Sequence, residues 1–417
     1  MKGERLMNNV QSLLMRVISA ALFNKKAPNV AADLLIPLVD ESKAQAVYPL
    51  AFSVLDSQLQ KKLTTEQYAE CSEEFFRYAI AGTQNFAEHS ELHELMTANE
   101  MPYVAIKGLA SAMYYPEPNL RSMGDVDFLV TKENVSQAGK LLESIGFAVD
   151  HGEEDDGIHI AYTRPPMSIW ELHHSVNGIP NNEIGELIKA EMDKAIPTAE
   201  VAEVDGSICR LPDKLHHGLI MLLHTASHLT SEGVGLRHLC DWVVFASALS
   251  DAEFREIFEK KLKCFGLWRF AQALTLLGIR YLGAPNRVWT LEAVESHKLD
   301  DATLDGLMND ILSGGNFGTK DMNRYREIKY ISDRSEGTVG KSGILRQGFK
   351  AMNDKVRRDY KTLGKNKALL PVGYLAEGGK YIGMLITGKR KSSGTKQMLK
   401  EAAERKRIYS ALNLFIK

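Results

Sequence analysis

The segment Gly124-Asp125-Val126-Asp127-Phe128-Leu129-Val130 constrains this chain more than any other stretch of it. Acid and apolar residues that alternate and then pass into an apolar run read as a β-strand with both acids on one face. That spacing puts Asp125 and Asp127 about 6–7 Å apart along the chain. Asp is depleted in strands, and two like charges sharing a face repel. Two arrangements relieve the conflict. The acids can lie solvated at a strand edge, or a divalent cation can sit against them, and oxygen ligands select Mg²⁺ or Mn²⁺.

A third carboxylate bears on that choice. In Ser168-Ile169-Trp170-Glu171-Leu172-His173-His174 the alternation places Glu171 and His173 on one face and Trp170 and Leu172 on the other. If this strand neighbours the Asp strand, Glu171 completes a carboxylate triad, which two metal ions about 3.5–4 Å apart need for in-line phosphoryl chemistry. The consecutive acids Glu153, Glu154, Asp155 and Asp156 read instead as a solvated loop. Upstream, Ile106-Lys107-Gly108-Leu109-Ala110 reads as a strand end turning into a helix at glycine. Backbone N–H groups at such a turn favour a phosphate, and Lys107 adds a point charge. Arg121 either clamps a phosphate or pairs with Glu117.

Around these strands the chain reads as helix. Residues 1–98 carry apolar positions at three- and four-residue spacing, as in LLMRVISAALF and FFRYAIAGTQNF. Asn8, Asn9, Gln11 and Arg16 interrupt the N-terminal apolar run, so an amphipathic helix is expected there rather than a signal peptide. Short strand-like runs fill residues 99–211, with KENVSQAGKLLESIGF a helix closed near Gly146. Residues 212–313 return to helix, and the Gly-rich Ser313–Gly318 opens a basic extension, 314–417. The expected organisation is therefore a helical region, a small α/β core, a helical domain and a basic tail.

The order of the motifs carries a resemblance. Lys107-Gly108, Tyr115-Pro116, Arg121-Ser-Met-Gly-Asp-Val-Asp-Phe-Leu-Val130 and Trp170-Glu-Leu-His173 together resemble the uncharacterised bacterial nucleotidyltransferase family of the DNA polymerase β-like superfamily, over roughly residues 100–250. The resemblance implies an α+β fold: a small mixed β-sheet nucleotidyltransferase core flanked by predominantly helical N- and C-terminal regions. It implies that Asp125, Asp127 and Glu171 hold Mg²⁺ or Mn²⁺, two ions in all. Glu171 would also help deprotonate the acceptor hydroxyl. Lys107, Gly108, Arg121 and Gly124 become the candidates for holding an NTP. Where the superfamily carries Gly-Ser or Gly-Gly, this chain has Lys107-Gly108, which makes Lys107 the stand-in for the hydroxyl contact to phosphate. The implied reaction moves an NMP from an NTP to a hydroxyl acceptor with release of pyrophosphate. A small molecule or a protein is the expected acceptor ahead of nucleic acid. Two other readings stay open: a D-x-D metal-dependent glycosyltransferase, and a degenerate nucleotidyltransferase fold that only binds a partner. About 100 helical residues before the D-x-D argue against the glycosyltransferase.

Other signals carry less. His224 and His228 lie one turn apart, but Thr225 stands where a metalloprotease H-E-x-x-H motif needs Glu. Packing and pairing are the expected roles of His224, His228, Arg237 and Asp241, with contacts to substrate as the alternative. Gly337-Thr338-Val339-Gly340-Lys341-Ser342 lacks the first glycine of a P-loop. Trp242, Trp268 and Trp289 read as core. Four cysteines without a C-x-x-C pair suit a reducing cytoplasm and read as small buried hydrophobes.

Net charge is −2, but it is not evenly spread. From residue 314 onward 24 Lys/Arg face 9 Asp/Glu, whereas residues 1–313 hold 27 against 44. The +15 tail is expected to neutralise the −17 body, with peripheral contact at an anionic membrane as the second choice and nucleic acid last.

Overall fold

A computed structural model of the chain describes residues 7–150, 157–296, 299–316, 320 and 393–416, with backbone alone over 393–402. The chain divides into two compact units, Met1–Arg324 with Ile408–Lys417, and Tyr325–Arg407. All that follows concerns the first. Glu153–Asp156, the Gly337–Ser342 segment and the tail's basic clusters before Arg405 lie outside the described residues.

The helical opening begins with α1 (Asn9–Phe23), α2 (Ala32–Ala44) and α3 (Tyr48–Lys62). The fourth helix, α4 (Thr65–Ala98), starts at a reciprocal capping box between Thr64 and Gln67. Its 34 residues run about 50 Å. A short turn leads to β1 (Val104–Ala105), α5 (Gly108–Ala112) and β2 (Val126–Leu129). Helix α6 (Val135–Ser144) follows, and Gly146, at φ 92°, turns the chain into β3 (Ala148–Val149). Strands β4 (His159–Thr163) and β5 (Trp170–His173) complete a five-stranded sheet of order β1-β2-β5-β4-β3. Within it β2 and β5 run parallel, and the other described pairs are antiparallel. The sheet is mixed, and the fold is α+β.

Helix α7 (Glu183–Met192) and a hairpin, β6 (Glu200–Val204) and β7 (Ser207–Leu211), complete the middle of the chain. Asp205 and Gly206, both at positive φ, form the hairpin turn. The chain continues through α8 (Lys214–Leu229), α9 (Leu236–Ala248), α10 (Asp251–Phe254), α11 (Lys260–Cys264), α12 (Trp268–Leu282), α13 (Leu291–Glu295) and α14 (Asp301–Gly314).

Among the described residues two apolar clusters hold this unit together. The first joins side chains of α1–α3 to those of α8, α9, α12 and α14, so the helices on either side of the sheet share one core. The second lies under the sheet, where Val126, Phe128, Trp170 and Leu172 pack against Leu92 and Met96 of α4 and Leu142 of α6. Each such apolar side chain, fully buried, contributes about 1.5–3 kcal/mol. Trp242, Trp268 and Trp289 are buried, as are Cys71, Cys209 and Cys240. Cys264 departs from expectation: it stands exposed at the end of α11. Among the described residues no helix is long and apolar enough to cross a membrane.

Candidate active site

Strand pairing decides where the acids go. Parallel β2 and β5 place Asp127 directly opposite Glu171, and Phe128 opposite Leu172. Because faces alternate, Phe128 and Leu172 enter the core while Asp127 and Glu171 turn to the other side. Asp125, just before β2, shares that side and is exposed to a cleft of about 500 Å³. The three carboxylates line one cleft between the sheet, α8 and α9.

The strands are set by a buried carboxylate on α4. Glu88, 2% exposed, accepts hydrogen bonds from the Ser168 amide (3.0 Å) and the Trp170 indole (3.0 Å), fixing the entry to β5. Its neighbour Asn85 donates to the Gly124 carbonyl (2.7 Å), fixing the entry to β2. One face of one helix thus sets both strands that carry the acids.

Cations already surround Asp127. Lys107 Nζ donates to Asp127 Oδ1 at 2.6 Å and stands 3.9 Å from Glu171 Oε2. His173 Nε2 lies 2.9 Å from the same Asp127 oxygen and 3.0 Å from Glu171 Oε2. Burial alone would push Asp127 up; Lys107 and the His173 hydrogen bond instead hold it well below the usual carboxylate range. Burial works against the charged forms of Lys107 and His173 too, yet the carboxylates raise both above their ordinary values. Among the described residues no cation makes such a short contact with Asp125. Desolvation, then the charges of Asp127 and Glu171, push its carboxyl up to about 6. Two acids two residues apart therefore titrate very differently.

Lys107 adopts φ 61°, unusual for a side chain with a Cβ, as the chain turns from β1 into α5. Gly108 and Gly124 both line the cleft. A Cβ on Gly124 would meet nothing within 4 Å, whereas one on Gly108 would touch Met123 at 3.4 Å and His89 at 3.6 Å.

Arg121 does not pair with Glu117. Its fork meets Asp241 of α9, Nε to Oδ1 and Nη2 to Oδ2, both at 2.8 Å, and the Tyr115 hydroxyl adds a bond of 2.7 Å to Oδ1. Planarity explains the choice, since a guanidinium answers a carboxylate with two parallel bonds. Arg237, the i, i+4 neighbour expected to pair with Asp241, is not the fork's owner; its Nη1 reaches the Ser122 carbonyl at 3.4 Å. Both arginines still line the cleft.

The facing wall holds residues the sequence leaves in the background. His224, His228 and His238 cluster there, with ring centroids 4.3–5.7 Å apart. Burial above all, with nearby positive groups added, holds His224 and His238 well below the ordinary imidazole value, so both are neutral near pH 7. Asn177, Thr225, Glu232 and Asn316 complete that side. On the sheet, His159 stands opposite His173 on β4, which no motif singled out. One nitrogen or oxygen each from His159, Glu171 and His173 lie within 4.8 Å of one another.

The model of a family described as uncharacterised nucleotidyltransferase matches residues 37–283, more than half of the chain. A solved structure, that of an antigenic nucleotidyltransferase-like protein from Paracoccidioides brasiliensis, is similar at 16% identity. That similarity covers 49% of this chain and 94% of the other, with a TM-score of 0.32. A search of curated proteins finds no match.

Proposed function

We propose, from the premise that the chain belongs to the family of uncharacterised nucleotidyltransferases, that it moves an NMP from an NTP to a hydroxyl acceptor and releases pyrophosphate. One observation carries the reading: Asp127 and Glu171 stand opposite each other on parallel strands, with Asp125 on the same side of one cleft. The donor set fits a hard divalent cation, Mg²⁺ or Mn²⁺, since three carboxylates line one cleft and offer oxygen ligands. When bound, two such ions would neutralise the triphosphate and acidify the acceptor hydroxyl.

The chain's own residues do the rest. Asp125 and Asp127 hold the nucleotide's counter-charge at the head of β2. Lys107, freed from Asp127, supplies a second positive charge at the β1–α5 turn beside Gly108. Gly124 leaves room for a phosphate to approach the backbone, since nothing lies where a Cβ would be. Glu171, directly or through an ion that it would hold, helps take the proton from the acceptor hydroxyl. Arg121, held by Asp241, keeps the loop before Asp125 in place and faces the cleft as a fixed charge. Catalysis of this kind rests on positioning and charge neutralisation, not on covalent help from the protein.

The acceptor is a small molecule or a protein side chain, bound along the His224–Asn177 wall. The test is transfer of label from α-phosphate-labelled NTPs to an acceptor in a cell extract with Mg²⁺. Label should appear with the native chain and vanish with Asp127→Asn. Labelling by Asp125→Asn and Asp127→Asn as strong as that of the native chain would sink the assignment, and label drawn only from a nucleotide-sugar would make the protein a glycosyltransferase.

A further inference from the structure

We propose that His159, Glu171 and His173 form a two-histidine, one-carboxylate site whose resident ion is a first-row transition dication, Zn²⁺ or Mn²⁺, in preference to Mg²⁺. The two imidazoles come from neighbouring antiparallel strands, where His159 and His173 are direct cross-strand partners and their rings lie 5.1 Å apart, centre to centre. Glu171, two residues from His173, shares their face. His173 Nε2 is 3.0 Å from Glu171 Oε2, and His159 Nε2 is 4.0 Å from Glu171 Oε1. With metal–ligand bonds of about 2.1 Å, ligand atoms stand about 3.4 Å apart around a tetrahedral ion such as Zn²⁺ and about 3–4.2 Å apart around an octahedral one such as Mn²⁺. Both separations are of that size before any ion enters.

The chemistry of the donors picks the ion. Mg²⁺ keeps its waters and takes oxygen, so an imidazole gives it little. Nitrogen donors favour the later first-row dications, and affinity climbs toward zinc and copper. Glu171 presents one oxygen to each histidine. Lys107 makes its short contact, 2.6 Å, with Asp127 and stands 3.9 Å from Glu171, so it does not occupy the Glu171 oxygens. The inference deepens the transfer reading and rests on it for a second ion at Asp125 and Asp127; that second position, all oxygen, is the one left to Mg²⁺.

Titration calorimetry of the full chain without nucleotide, using Zn²⁺, Mn²⁺ and Mg²⁺ separately, tests this, together with pulsed EPR of the Mn²⁺ form for nitrogen couplings. Zn²⁺ should bind at least about 100-fold more tightly than Mg²⁺. The Mn²⁺ spectrum should show nitrogen couplings that His159→Gln reduces, and that variant should lose at least about tenfold in Zn²⁺ affinity. His173 is buried, so His159→Gln is the decisive variant and His173→Gln the second. Equal affinity for Zn²⁺ and Mg²⁺, Mn²⁺ bound without nitrogen coupling, or no metal bound at all would each overturn the site. Label transfer without a nitrogen-ligated ion would remove this inference alone, and a nitrogen-ligated ion without transfer would remove the transfer reading alone.

Discussion

Arg121 and Asp241, 120 residues apart, meet as a buried two-bond ion pair that ties the loop before β2 to helix α9. Both side chains are more than nine-tenths buried, so each is the other's solvent. Burial on its own disfavours the charge on both, yet Asp241 stays below its usual range because Arg121 is there. The pair fastens the two walls of the cleft together.

Removing one partner should therefore cost far more than removing both. Asp241→Asn, which leaves a buried guanidinium half-answered, should destabilise the protein by about 3–5 kcal/mol. The double change Arg121→Met with Asp241→Leu should recover most of that loss. Urea unfolding of both single variants and the double gives the coupling directly. Independent, additive losses would mean that the pair does not hold the walls.

Asp127 has two jobs that different substitutions separate. Asp127→Asn keeps the shape and an acceptor for Lys107 and His173, so the fold should survive while label transfer falls at least about a hundredfold. Asp127→Ala removes the short contact of Lys107 and leaves His173 with Glu171 alone, and should also lower stability, by about 3 kcal/mol. Thermal unfolding alongside the labelling assay distinguishes them. A well-folded Asp127→Ala protein with unchanged melting would show that the carboxylate carries none of the local charge balance.

His217 makes the fold acid-sensitive. Its ring stacks on Tyr114 at 5.5 Å, stands edge-on to Phe245 at 5.3 Å, and neither nitrogen has a hydrogen-bond partner among the described residues. Burial pulls the imidazole down to about 4. The folded protein thus binds this proton less readily than the unfolded chain, whose histidine titrates near 6.5. Stability from this residue is present in full above about pH 6.5 and drains away as pH falls toward 4, about 3 kcal/mol in all. His217→Phe should flatten that part of the pH profile in urea unfolding. An unchanged slope between pH 6.5 and 4 would place the acid sensitivity elsewhere.

Gly178 should tolerate no side chain. It sits at φ 89°, and a Cβ there would lie 2.2 Å from the Leu223 carbonyl oxygen of α8. Gly178→Ala forces the β5–α7 connection away from α8, next to Asn177 in the cleft, and should cost about 2–3 kcal/mol. Calorimetric melting is the measurement, and a shift under one degree would refute the close approach.

Some of this was legible in the sequence for a definite reason. A period of two survives without any partner, so Asp125, Asp127 and Glu171 could be assigned a face from spacing alone, and the apolar Trp170 and Leu172 the opposite one. Spacing does not name neighbours: the β2–β5 pairing, on which the carboxylate triad depends, is a tertiary choice that the structure supplies. Arg121's partner was illegible for the same reason, since chain proximity favoured Glu117 and Arg237 to Asp241, while the fork found a carboxylate more than a hundred residues away. His159 had no motif around it, and its relevance comes only from lying across from His173. The β6–β7 hairpin did carry a local mark, Asp205-Gly206 between alternating runs, which a reading centred on the acids passes over. Cys264 is exposed because it falls at the end of α11, where burial depends on what packs there and not on residue type.

The two-residue period along β2 and β5 also restricts how a gene of this kind can change length. One codon gained or lost inside 126–129 would exchange Asp127 with Phe128 across the sheet, driving a carboxylate into the core and an aromatic ring into the cleft. The same holds for Glu171 and Leu172 inside 170–173. Length variants within these eight positions should be purged outright, whereas substitutions there can be tried one at a time.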